Sequence, residues 1–282
     1  MSDGTLPSIG EVTTTEIENL KNRSARGGAE NGTPVLLTAP WPESVYSFHR
    51  LLPRLGQEHP YVAVDLPGYG RSDSRADVMR PEAMGDFVIA LIEHFGVTRV
   101  HVVAPDVGTL AVLFAALKRP DLFESLIIGG GAMRADMAAG PLRDLINSPG
   151  GSFGQIDGAV AVKDYLDRAS QLTPQPIIED FRSASSGRRF EDAVQYVRAY
   201  QTDLPRLEPR LASMKTPTLV IAGKNDPIVP AANGEFLANR LPHNRYVPLD
   251  AGHRAWEEAA DAYNQEILAW LAGAYHSVEK GG

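Results

Sequence analysis

The chain predicts an α/β fold: a mostly parallel central sheet flanked by helices and interrupted by a helical insertion. Three observations predict it. From Pro34 onward short apolar runs alternate with longer stretches of helical apolar spacing, the rhythm of strand-helix units that feed a parallel sheet. Between residues 134 and 208 that rhythm stops, strand signals vanish, and polar sequence of helical period takes over. The composition, 43% apolar and 22% charged over 282 residues, is that of an ordinary folded domain and excludes disordered and collagen-like architectures.

Residues 1–33 are polar and rich in Gly, Ser, Thr and Asn, which predicts an N-terminal arm or edge hairpin, with 16–20 hinting at a strand or short helix. Strands are expected at 35–39, 61–65, 100–104, 125–129, 218–222 and 246–249. Helices are expected at 43–55, 81–95, 107–118, 231–241 and 256–273. The α/β core then comprises 34–133 and 209–282. Residues 134–208 form a helical cap, with Gly-rich loops around 148–154 and 183–187.

Lys and Arg number 27 against 35 Asp and Glu, a formal charge of −8, which works against nucleic acid and anionic membranes as partners, since both need clustered cations. There is no cysteine, so disulfides, thiolate nucleophiles and Cys-ligated metals are excluded. No stretch approaches 18 apolar residues and the first residues carry no signal-peptide pattern, so a cytoplasmic protein is expected.

The segment Val100-His-Val-Val-Ala-Pro-Asp-Val-Gly108 is an apolar strand running straight into a helix, with Ala104 and Gly108 two residues either side of Asp106. Small-x-nucleophile-x-small is the pattern of a nucleophile elbow, where the central residue occupies a strained turn and its flanks must be small. Aspartate there disfavours a serine esterase and attacks carbon as a carboxylate, forming an ester. The plainer reading of Asp106 is a helix N-cap. Two further residues favour the elbow: Asp226, in Gly-Lys-Asn-Asp-Pro227 after the strand at 218–222, and His253, in Asp-Ala-Gly-His253 after the strand at 246–249. Nucleophile, acid and histidine thus follow in hydrolase order, each just past the C-terminal end of a strand, where open parallel sheets form their sites. His49, His59, His94, His101, His243 and His276 lack such context and read as structural or solvated.

Two further stretches carry a family resemblance, Trp41-Pro-Glu-Ser-Val-Tyr-Ser-Phe-His49 and Asp65-Leu-Pro-Gly-Tyr-Gly-Arg-Ser-Asp73. With the triad order, they make the chain from Pro34 to Leu271 resemble the α/β-hydrolases with an aspartate nucleophile, the epoxide hydrolase and haloalkane dehalogenase group. The resemblance implies an α/β-hydrolase fold and a two-step hydrolysis. Asp106 attacks an sp3 carbon, the Trp41 and Val107 amides hold the oxyanion when the ester is cleaved, and His253, supported by Asp226, deprotonates the attacking water. No metal or organic cofactor is required.

The pattern departs in places. Where the family reads His-Gly-x-Pro the chain has Ala39-Pro-Trp-Pro42, which keeps the Trp41 amide but replaces the glycine by Pro40. Pro105 stands where a polar residue usually precedes the nucleophile. Val107 replaces the Trp or Arg that binds a halide or a substrate carboxylate. Epoxide opening needs an acid from cap tyrosines, and the insertion offers Tyr165, Tyr196 and Tyr200; the family's tyrosine before Arg falls on Val197, so each of the three also reads as a packing residue. The expected function is epoxide hydrolase-like, on a small hydrophobic substrate suited to an apolar pocket with Trp41 and Val107. The alternatives are dehalogenation, acyl hydrolysis through an anhydride, and a binding protein that has lost catalysis. Oligomeric state is not legible.

Overall fold

The computed structural model describes residues 4–278. Eight strands form one sheet: β1 (Glu11–Ile17), β2 (Leu20–Gly28), β3 (Val35–Thr38), β4 (Pro60–Val64), β5 (Val100–Pro105), β6 (Phe123–Gly129), β7 (Thr218–Gly223) and β8 (Asn244–Leu249). Their order across the sheet is β1-β2-β4-β3-β5-β6-β7-β8. The first two pairings, β1 with β2 and β2 with β4, are antiparallel, and the remaining neighbours run parallel.

The strands buried on both faces are the continuous apolar runs. β3, β5 and β7 are buried along their whole lengths, as parallel strands covered by helices must be. The opening residues form the edge hairpin. Residues 16–20, expected as a strand or short helix, straddle its turn: Glu16 and Ile17 end β1, Leu20 begins β2, and Glu18 and Asn19 between them adopt φ of 52° and 60°, the left-handed pair whose twist suits a two-residue hairpin loop.

Three helices follow the first parallel strands, α1 (Leu52–Leu55), α2 (Pro81–His94) and α3 (Val107–Lys118); past the insertion α10 (Ala232–Ala238) packs against β7 and β8, and α11 (Ala255–Glu258) and α12 (Ala260–Leu271) come after β8. The helix expected over 43–55 is instead a 3₁₀ turn, Val45–Phe48, and the single turn α1. Pro53 explains the break, because it has no amide to donate to the turn before it. The stretch 256–273 is likewise divided, at Ala259 with φ −128°.

Between β6 and β7 lie six helices and no strand: α4 (Gly140–Asn147), α5 (Gly158–Ala161), α6 (Lys163–Ala169), α7 (Gln175–Ser185), α8 (Arg189–Arg198) and α9 (Tyr200–Leu207). Buried charge fastens them to the core. Arg23 on β2 pairs with Asp65, after β4, at 2.6 Å and with Asp180 of α7 at 2.8 Å, while Ser44 donates to the same Asp180. Asp65 also accepts the amides of Val45 and Arg71. Gly70 has φ +51° and a side chain there would strike the Asp65 carboxyl at 2.0 Å, so the Gly-Tyr-Gly-Arg-Ser-Asp run is built around this carboxylate.

Candidate active site

Asp106 stands between β5 and α3 with φ +56° and ψ −123°, a strained conformation for a residue with a Cβ. Its amide is held by the Gly129 carbonyl at 2.7 Å. The requirement for a small neighbour is visible at Gly108, where an added Cβ would sit 2.1 Å from Thr38 Oγ1 and 3.2 Å from the Ala104 methyl. Thr109 completes the turn by donating to the Ala104 and Gly129 carbonyls. Strand, turn and helix together push the Asp106 carboxylate above the C-terminal edge of the sheet.

The structure brings Asp106, Asp226, His253 and Trp41 together. The Trp41 amide donates to Asp106 Oδ2 at 2.7 Å, and the other oxygen, Oδ1, lies 3.4 Å from His253 Nε2. His253 Nδ1 is 2.8 Å from Asp226 Oδ2. Asp226 is fixed in turn by the amides of Ile228 and Val229, each 2.8 Å from Oδ1. Val107 provides the first amide of α3, which has no partner within the helix. Burial alone would lower the affinity of the His253 imidazole for a proton; the Asp106 and Asp226 carboxylates outweigh it and raise its pKa to about 10. The resting site therefore holds an imidazolium between two carboxylates at neutral pH.

Asp106 and His253 open into a cavity of about 490 Å³ whose walls are largely apolar, among them Val107, Leu142, Leu145, Phe153 and Phe190. The Trp41 ring packs on Phe190 with centroids 5.4 Å apart. The three tyrosines diverge. Tyr165 lines the cavity, yet its hydroxyl donates to Glu43 at 2.6 Å. Tyr196 is fully buried and its hydroxyl donates to the Val107 carbonyl at 2.7 Å. Tyr200 lines the cavity with no hydrogen bond at its hydroxyl among the described residues, and burial followed by the Asp106 charge keeps the phenol protonated. Val197, the position of the family's tyrosine, also faces the cavity one turn before Tyr200.

Sequence reasoning missed a buried polar junction beside the triad. Glu43, two residues after Trp41, accepts from Arg254 at 2.5 Å, from the Trp256 indole at 3.0 Å, and from Tyr165 and Ser47. Burial would push the Glu43 carboxyl up, but Arg254 and these donors hold it below its ordinary value. Arg254 also donates to Thr173 at 2.7 Å. The available signal was adjacency: Glu43 lies in the Trp41 to His49 segment and Arg254 follows His253. Among the described residues no group of three or more His, Cys, Asp or Glu could hold a metal, and no helix is long and apolar enough to cross a membrane.

A doubly wound sheet with an elbow after its central strand, and an acid and a histidine after later strands, defines a hydrolase of the α/β class. The chain belongs to the alpha/beta hydrolase family, whose model matches residues 35–266. Among curated proteins it is similar to the 2-hydroxy-6-oxononadienedioate/2-hydroxy-6-oxononatrienedioate hydrolase of Escherichia coli strain K12, 26% identical over 223 residues that span 75% of this chain and 76% of that one. Among solved structures it resembles the enol-lactonase of Burkholderia xenovorans LB400, with a TM-score of 0.76, 20% identity and coverage of 92% and 100% of the two chains. It also resembles the epoxide hydrolase CorEH, at 0.78, 18% identity and coverage of 93% and 98%. At such identities these structures share the fold.

Proposed function

We propose that the protein is a hydrolase with an aspartate nucleophile that opens the epoxide ring of a small, largely apolar molecule. The observation that carries this reading is the division of labour at the Asp106 carboxylate: Oδ2 is bound by the Trp41 amide while Oδ1 faces His253. Oδ1 attacks an epoxide carbon, the ring C–O bond breaks, and the alkoxide takes the proton of Tyr200, the cavity tyrosine whose hydroxyl is uncommitted. A halide would need no such acid, and the Val107 side chain offers it no donor.

Esterification removes the negative charge of Asp106, one of the two that hold the proton on His253. The imidazole then passes its proton to the Tyr200 phenolate, restoring the phenol, and becomes the base for the second step. It deprotonates a water that adds to the ester carbonyl, and the negative charge gathers on Oδ2, which the Trp41 amide binds, with the Val107 amide as the second donor of the proposed hole. Collapse breaks the bond to the alkoxy group, which takes the proton back from His253 and leaves as a diol. The remaining proton of the water departs from the reformed carboxyl to His253 and restores the imidazolium between two carboxylates. Asp226, bonded by two amides, keeps the imidazole oriented throughout.

The test is the His253→Gln variant incubated with styrene oxide, cyclohexene oxide and bromohexane, followed by mass analysis of the peptide carrying Asp106. The expected result is one added substrate mass with an epoxide, because the first step proceeds and the second stalls. Adducts from bromohexane alone move the assignment to dehalogenation. A folded variant that takes up no adduct replaces turnover by ligand binding.

A further inference from the structure

We infer that Tyr196 is a positioning residue through which the helical insertion sets the oxyanion donor of Val107. The inference rests on the reading of Asp106 as a nucleophile whose ester is cleaved with help from that amide.

Tyr196 lies on α8, in the insertion, and is fully buried. Its hydroxyl crosses to the core and donates to the Val107 carbonyl at 2.7 Å. Val107 is the first residue of α3, so the phenol is seated at the turn that directly follows the nucleophile. Fixing the Val107 carbonyl restrains the torsions of Val107, and with them the direction of its amide, the second oxyanion donor of the proposed reaction. The ring is braced edge-on between Tyr69 at 5.7 Å and Tyr200 at 5.8 Å, and α8 is anchored beyond them by Arg189, which donates twice to the Ser72 carbonyl at 2.8 Å. The hydroxyl is thus delivered by a rigid element, as preorganised oxyanion donors require.

The chemistry separates this role from a packing role. Attack on the epoxide leaves Asp106 Oδ2 with less negative charge, and its developing charge appears only when water adds to the ester. Loss of the Tyr196 hydroxyl therefore acts on the second step alone.

Single-turnover reactions with styrene oxide, followed by rapid quench and intact-protein mass, resolve formation and decay of the ester. In Tyr196→Phe, ester formation is expected within about twofold of the parent and ester decay about tenfold slower, so the esterified fraction at steady state rises. Tyr69→Phe is the companion variant. It removes a buried hydroxyl with no partner from the same aromatic cluster, and both steps are expected unchanged. Equal slowing of both steps in Tyr196→Phe, or unchanged decay, overturns the inference. If the folded His253→Gln variant forms no ester, the nucleophile reading fails and this inference fails with it.

Discussion

Replacing Asp106 by Asn imitates, in the resting protein, the charge state of the ester. In the parent His253 Nε2 is 3.4 Å from Asp106 Oδ1 and Nδ1 is 2.8 Å from Asp226 Oδ2, and the two carboxylates raise the imidazole to about 10 against the opposing effect of burial. Two unit charges about 4 Å apart at an effective dielectric near 20 attract by ~4 kcal/mol, or some three powers of ten in proton affinity. Removing Asp106's charge should thus bring His253 from about 10 into the neutral range, where a general base works best. Histidine side-chain resonances followed by NMR across the pH range, in the parent and in Asp106→Asn, measure this directly. A His253 that still titrates near 10 in the variant would refute the reasoning. Asp226 alone would then hold the proton, and esterification could not release the base.

Tyr200→Phe should slow ester formation from epoxides by about 10²- to 10⁴-fold, the usual worth of a general acid, while ester decay, read in the same quench experiment, stays within a few-fold. Gly108→Ala should lower stability by about 1–3 kcal/mol, because its Cβ meets Thr38 Oγ1. Pairing it with Thr38→Ala, which deletes a buried hydroxyl with no partner, should recover much of that loss in thermal denaturation. His101 gives a pH dependence remote from the site. Burial, followed by His59, Arg99 and His276, lowers it from 6.5 to about 4, and its Nδ1 lies 2.8 Å from Ser125 Oγ, which also accepts the Trp270 indole N–H. The unfolded chain thus binds the extra proton first. The contribution of neutral His101 is complete above pH 6.5 and is lost as pH falls toward 4, amounting to about 2 kcal/mol by pH 5. Urea titrations of the parent and His101→Gln at pH 8 and pH 5 should show the parent losing that much more than the variant.

The parallel core was legible because its strands are apolar runs of fixed length, and the elbow because close packing at Gly108 leaves a local mark in the sequence. Helix boundaries beside proline were harder, as at Pro53, where apolar spacing continues but the amide ladder does not. The roles of the tyrosines were out of reach for a different reason. Tyr196 and Tyr200 are four apart, a spacing that shares a face in a continuous helix, but α8 ends at Arg198 and α9 begins at Tyr200. One hydroxyl is thus sent to the core and the other left in the cavity, and only tertiary placement decides which. The pairing of Glu43 with Arg254, 211 residues away, has no local signature at all.

That ion pair bears on how this scaffold can be re-engineered. Glu43 and Arg254 sit next to the oxyanion loop and the histidine loop respectively, and two of their hydrogen bonds, from Tyr165 and to Thr173, come from the insertion. A chimera that grafts another hydrolase's insertion to change substrate range therefore also removes two partners from a buried charged pair, whose members are costly to leave incompletely bonded. Grafts that retain a phenol at 165 and a hydroxyl at 173 should keep the spacing of base and oxyanion donor. Those that discard them would alter catalysis for every substrate, however well the new walls fit.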